Sequence, residues 1–195
     1  MRPLLLLVAL LSAGQPAPPR LDDLLLEVRV YDQRLEVTAE TRVVVYRAGE
    51  RDAPVASSAP GQPLHALAVQ PGLYDVQALR ARADGPHQLR WAERLSVLRY
   101  PDEGGRHLEV VNFDQGYGAV QIRFDTGQPP WTGTLYAPDS LTRIDTEPAA
   151  GEGYVLFVVP AGPYDIELLG GGVPPRRRTI SRLDVPRGRT RLIVP

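Results

Sequence analysis

The chain predicts an all-β protein built as two antiparallel β-sandwiches in tandem, and three observations carry that expectation. Short segments alternate apolar and polar residues with period two, and turn residues recur about every eight to twelve positions. One eight-residue stretch also occurs twice, as Val69-Gln70-Pro71-Gly72-Leu73-Tyr74-Asp75-Val76 and as Val159-Pro160-Ala161-Gly162-Pro163-Tyr164-Asp165-Ile166. Each copy reads as strand, tight turn, strand. Glycine tolerates the positive φ that a reversing turn demands, and a neighbouring proline sets φ for its first central position. From Val45 to Val76 the copies hold a constant shift of ninety, with Tyr46 over Tyr136 and Tyr74 over Tyr164. No stretch keeps a helical period long enough to compete.

The elements follow in order. Leu26 to Tyr31 alternates as a half-buried strand, and Leu35 to Ala39 is weakly patterned. Val43 to Tyr46 is a β-branched run fit for a sheet centre. Residues 48 to 64 hold Gly, Pro, Ser and Ala without period and predict the longest loop of the first half. Leu67 and Val69 lead into the first repeated turn and Tyr74 to Arg82 leads out. Leu89 to Tyr100 holds Leu95-Ser96-Val97 in strand phase, Pro101 to Gly105 is a hairpin-type turn, and Leu108 to Phe113 closes the unit. In the second half Val120 to Phe124 answers Leu26 to Val30, and Gly133 to Tyr136 answers Val43 to Tyr46. Tyr154 to Val159 enters the second turn, Arg182 to Val185 answers Arg94 to Val97, and Thr190 to Val194 is the last strand. About seven short strands per copy is the pattern of a sandwich.

Arg2, the apolar run Leu4 to Leu11 and the small residues Ser12-Ala13-Gly14 predict a secretory signal over 1–14, cleaved after Gly14, with an uncleaved anchor as the alternative. Residues 15–23 read as a Pro-rich tether, 24–114 as the first sandwich and 115–195 as the second, with no membrane span after cleavage. The chain has no Cys, so each sandwich must be held by its own apolar core rather than by disulfides, and a lipid-anchored start is excluded. All non-histidine basic residues are arginine. The missing lysine removes Schiff-base chemistry and a P-loop amine. A net charge of −1 nominates neither nucleic acid nor a membrane as partner.

The hairpin of apolar strand, Pro/Gly turn, Tyr-Asp-Val or Tyr-Asp-Ile, variable loop, Leu-x-Val strand, Gly turn and apolar end resembles the bacterial transthyretin-like modules. These include carboxypeptidase regulatory-like and Cna-B-like domains with Ig-like sandwich folds. Tyr74 to Val120 looks like the tandem modules found beside von Willebrand type A domains. The resemblance implies a non-catalytic accessory or interaction role in the envelope or outside the cell, with a protein partner, and implies no cofactor. Lacking lysine, the chain departs from those Cna-B-like relatives that carry an internal isopeptide bond.

Among single residues, Tyr74 and Tyr164 point where Val76 and Ile166 point, which predicts buried rings bonding local backbone, with a ligand contact as the alternative. Asp75 and Asp165 lie on the opposite face and are expected to accept hydrogen bonds at the turn or to sit in water. No spaced acidic loop suggests calcium, and no metal site is expected. His65, His87 and His107 are scattered; His65 and His107 fall at strand starts, where a surface imidazole is ordinary. No nucleophile or metalloprotease motif is present, and an enzyme would need residues converging without one. Trp131, in a Pro-rich loop, either stacks on a sugar or caps the open end of the second core, while Trp91 is expected in the first core. Arg187, Arg189 and Arg191 fall on one face of the last strand, either as a solvated, edge-protecting face or as a site for an anionic polymer such as an envelope polysaccharide.

Overall fold

A computed structural model of the chain describes residues 23–83, 85–98, 105–124, 131–144, 149–151, 153–171 and 174–194. The signal-like stretch 1–14, the tether up to residue 22 and all but Gly105 of the Pro101–Gly105 turn lie outside the described residues. The first half forms β1 (Leu24–Asp32), β2 (Leu35–Glu36), a 3-10 turn (Thr38–Glu40), β3 (Thr41–Arg47), β4 (Glu50–Ser58), β5 (His65–Val69), β6 (Gly72–Arg80), β7 (Gln88–Val97) and β8 (Arg106–Asn112). The second forms β9 (Tyr117–Arg123), β10 (Trp131–Tyr136), β11 (Ala149–Gly151), β12 (Tyr154–Pro160), β13 (Gly162–Gly170), β14 (Arg176–Val185) and β15 (Thr190–Ile193). The described residues contain no α-helix, and no helix among them is long and apolar enough to cross a membrane.

Four sheets result. In the first, β1 pairs antiparallel with β2 and β5 and parallel with β8. The second runs β4-β3-β6-β7, the third β11-β12-β9-β15 with β15 parallel to β9, and the fourth β10-β13-β14. Alternation along each strand sends one row of side chains to each face. The inward rows of sheets one and two, including Leu26, Val28, Val30, Val43, Val45, Val76 and Val97, close a first apolar cluster. Val120, Ile122, Leu135, Phe157, Ile166 and Leu183 close a second between sheets three and four. A third cluster lies where sheets one and three meet by their other faces: Tyr31, Leu108 and Val110 pack on Ala119, Leu156 and Val158. The sheets therefore stack in the order two, one, three, four.

The shift of ninety persists in the pairing itself. Val45 opposes Val76 and Tyr46 opposes Asp75, while Leu135 opposes Ile166 and Tyr136 opposes Asp165. One expectation fails at β4, a strand inside the expected loop 48 to 64. Its residues are mostly exposed, so no buried row marks it in the sequence. Backbone pairing with β3 makes it a strand, and Pro54 is tolerated because β4 is an edge with irregular register at Val45/Tyr46 and Tyr46/Arg47. The halves also diverge here, since β11 pairs with β12 rather than with β10, the counterpart of β3.

The repeated motif acts as a local clamp. The Tyr74 hydroxyl donates to the Gln70 carbonyl (2.5 Å) and that of Tyr164 to the Pro160 carbonyl (2.8 Å). Asp75 accepts from the backbone N–H of Arg94 (2.9 Å) and Gly49 (3.3 Å); Asp165 accepts from the N–H of Arg182 (2.7 Å) and Asp139 (3.1 Å). The turns these carboxylates bind are the ones after β3 and β10, not their own. Arg94 and Arg182 sit at φ of 54° and 51°, in bulges that break the β6–β7 and β13–β14 ladders opposite the aspartates. Burial by itself would raise the Asp75 carboxyl, but the Arg94 and Gly49 amides and the Arg51 guanidinium outweigh it and hold it below the usual carboxylate range. Of the two glycines only Gly162 takes a positive φ, 150°. Gly72 instead makes room, since a Cβ there would lie 2.6 Å from the Arg47 guanidinium, which rests over the Tyr74 ring. Tyr74→Phe is expected to cost about 1 kcal/mol in chemical denaturation, the ordinary worth of such a bond, and the less buried Tyr164→Phe less. Equal stability of wild type and Tyr74→Phe would show that the hydroxyl bond contributes nothing net.

Candidate functional site

A cavity of about 230 Å³ opens at the edge between the first sandwich and the last turn of the chain, lined by Arg90, Trp91, Ala92, Glu93 and Leu95 of β7, Glu109 of β8, and Arg187, Gly188 and Arg189. Each wall has its own local cause. The bulge at Arg94 leaves Trp91 and Glu93 on the outer face of sheet two, while Ala92 and Leu95 turn inward to the first cluster. The parallel register of β1 and β8 sets Glu109 beside Val28, on the inward face. The turn after β14 is latched to the start of β9: the Gly188 N–H donates to the Tyr117 carbonyl (2.8 Å) and the Ala119 N–H to the Arg189 carbonyl (3.1 Å). Thr190 then reaches across the sheets, its hydroxyl oxygen accepting from the Val110 N–H at 2.9 Å.

The electrostatics are uneven. Trp91 carries the Arg51 guanidinium 4.1 Å over its ring, with Tyr46 tilted beside it at 5.6 Å. The same Arg51 holds Glu93 at 2.5 Å, so that carboxylate is already paired. Burial pushes the Glu109 carboxyl up to about 8; its hydrogen bonds from the Thr190 side chain and backbone and the charge of Arg189 only partly offset this. His107 Nε2 lies 4.0 Å from Glu109, and its own pKa is lowered by burial and by Arg123. Near neutral pH both groups are therefore uncharged, and the cavity presents the guanidiniums of Arg90, Arg187 and Arg189. Arg90 is half-buried and close to Gly188, where a Cβ would stand 3.0 Å from its Nη2. Among the described residues no carboxylate pairs with Arg90 or Arg187. Such a site can hold an anion.

The structure brings together only part of the sequence-nominated set. Arg187 and Arg189 belong to the turn and line the cavity, whereas Arg191 shares its face with the core-packed Ile193 and donates to the Asp184 carbonyl at 2.9 Å. Trp131 begins β10 instead of sitting in the loop before it. It is half-buried, stacked on Phe124 with ring centroids 4.7 Å apart and 3° between planes, and packed over Gly170. Gly72, Tyr74, Asp75, Gly162, Tyr164 and Asp165 form the clamps described above, away from the cavity lining. Trp91, expected in the core, lies instead on the outer face of sheet two between Arg51 and Tyr46, because it falls in the outward row of β7. His65 is another correction, fully buried rather than on the surface. Its Nε2–H donates to the Thr38 carbonyl (3.0 Å), Nδ1 accepts from Ser58 (2.8 Å), and burial lowers its pKa. Sequence reading missed Arg90 and Glu109, whose only signal was charge within a strand otherwise patterned for burial.

No family model and no curated protein matches the chain. Solved structures give loose likenesses. The tip fimbrial protein Mfa3 from Porphyromonas gingivalis, with a C-terminal truncation, has 10% identity over 81% of each chain at a TM-score of 0.32. A putative adhesin from Bacteroides ovatus has 12% identity over 93% of this chain and 95% of its own, at a TM-score of 0.34. The Bacillus anthracis TIE protein has 11% identity over 87% of this chain and 33% of its own, at a TM-score of 0.31. Superpositions this loose define neither a shared fold nor a shared function.

Proposed function

We propose that this chain is a non-catalytic, exported interaction module of the cell envelope, made of two sandwiches over 24–114 and 115–195 that work as one binding body. The observation that carries the reading is the cationic cavity at their junction, which neither half builds alone: β7 and β8 supply Arg90, Trp91 and Glu109, and the last turn supplies Arg187 and Arg189. Tyr31, Leu108 and Val110 against Ala119, Leu156 and Val158 hold the two halves in the relation the cavity needs, and Arg29 adds a hydrogen bond to the Tyr154 hydroxyl at 3.0 Å. A secretory start at 1–14 and the resemblance to envelope modules agree with an exported binding role.

The test is site-specific photocrosslinking in the producing cells. A crosslinker at Leu89, exposed on β7 beside Arg90, is expected to capture envelope or extracellular material, and one at Val55, on the opposite edge strand β4, is not. Equal capture from both positions, or a protein that stays in the cytoplasm, would overturn the proposal.

A further inference from the structure

We infer that the junction cavity binds a phosphate group, and that the bound group bridges the two halves of the chain. The inference rests on the binding-module reading above and names the chemistry of its ligand. The first feature is a surplus of positive charge. Arg90, Arg187 and Arg189 line one cavity, and among the described residues none of the three forms a salt bridge, while Glu93 is committed to Arg51. Charged residues supply five of the nine lining positions, which favours a charged ligand over an apolar one. Guanidiniums held together repel one another, and an anion that meets all three relieves this. A carboxylate brings one charge and two oxygens. A phosphate monoester carries close to two charges near neutral pH and presents three strong acceptor oxygens, which guanidiniums engage with paired hydrogen bonds. The buried carboxyl of Glu109, pushed up to about 8, adds no negative charge to repel it there.

The second feature is placement. Arg187 and Arg189 flank Gly188, whose φ of 61° is one that residues with a side chain rarely adopt. A Cβ at Gly188 would stand 3.0 Å from Arg90 Nη2, so the guanidinium of the first half reaches the turn at the residue between the two arginines of the second. The Gly188–Tyr117 and Ala119–Arg189 backbone bonds fasten that turn, so less ordering remains to be done when a ligand arrives. Arg187 and Arg189 are exposed and Arg90 is half-buried, which leaves the mouth open both to free phosphate and to a phosphate carried on a larger molecule. Because Arg90 belongs to β7 and the other two to the last turn, a group held by all three ties one half to the other.

Titration calorimetry of the full chain with glycerol 3-phosphate tests this, run beside orthophosphate and the dicarboxylate glutarate at matched ionic strength and near-neutral pH. Glycerol 3-phosphate is expected to bind and glutarate to bind at least tenfold more weakly. Arg90→Gln and Arg187→Gln should each weaken the phosphate about tenfold, or ~1.4 kcal/mol. Arg191→Gln should leave affinity unchanged, since that guanidinium is spent on the Asp184 carbonyl, and so separates a built site from general attraction to positive charge. Arg187 is exposed, so its variant keeps the test valid if a β7 variant unfolds, and the thermal midpoint of each variant verifies folding. No saturable binding of either phosphate, glutarate as tight as phosphate, or equal losses from Arg187→Gln and Arg191→Gln overturns the inference. A folded Arg90→Gln that binds like wild type overturns the bridge. Orthophosphate as tight as the ester supports the site with free phosphate as its ligand; a tighter ester supports it as a reader of phosphorylated material. Crosslinking from Leu89 that persists when neither phosphate binds would refute the ligand and leave the module standing; loss of that crosslinking refutes the module itself.

Discussion

Replacing Gly118 by alanine is expected to cost about 3 kcal/mol in chemical denaturation, at the upper end for overpacking a tight site. Gly118 lies in β9 opposite Val159, directly beneath the turn after β14. A Cβ there would fall well inside contact with the Pro186 carbonyl oxygen, and 3.0 Å from Val185 Cγ1. The obstacle is backbone, which a rotamer change cannot relieve. Either the turn lifts or β9 shifts, and both loosen the Tyr117–Gly188 and Ala119–Arg189 hydrogen bonds that seat Arg187 and Arg189. The substitution should therefore weaken ligand binding as well as stability. Wild-type stability in Gly118→Ala would mean that the turn moves freely and is not the rigid wall described above.

Glu109→Gln should change how stability depends on pH. The folded pKa of this carboxyl, about 8, lies above the 4.5 of an unperturbed Glu, so across that window the native state binds more protons than the unfolded chain. Stability contributed by the group is fully present below pH 4.5 and is lost as pH rises through 8. The groups facing it are His107 on its own strand, Arg90 from β7, and Arg189 and Thr190 from the last turn and strand. Glutamine keeps an acceptor for Thr190 and never ionises. At 1.36 kcal/mol per pKa unit, the variant is expected to gain on the order of 4 kcal/mol over wild type by pH 8, with little difference below pH 4.5. Denaturation midpoints across that range check it; parallel curves would show that Glu109 ionises inside the fold at no cost.

The motif, the strand order and the shift of ninety were legible because each expresses local rules, period-two burial and turn chemistry, repeated in two copies. β4 was not legible, since an exposed edge strand has no buried row and its Pro54 argues against pairing until a bulge is known. His65 and Trp91 exchanged places between surface and interior for a related reason. His65 is satisfied by two partners brought to it by the fold, Thr38 and Ser58, 27 and 7 residues away in sequence, and Trp91 falls in the outward row of an edge strand whose phase no residue type announces. The cavity is harder still. Arg90, Glu109 and Arg187 meet only through the contact of sheets one and three, and nothing in the sequence encodes that contact except apolar residues on strand faces that a lone sandwich would leave polar.

In both halves the first and last strands lie side by side and run in the same direction, β1 with β8 and β9 with β15. Tension applied to the chain from its two ends therefore slides each pair along its length, and the ladder must yield all at once instead of opening bond by bond. The β1–β8 ladder spans Leu25 to Tyr31, whereas β9–β15 spans only Ala119 to Ile122. Under load the C-terminal half is the mechanical fuse, and because it carries Arg187 and Arg189, stretching would release a ligand held at the junction before the N-terminal half gives way.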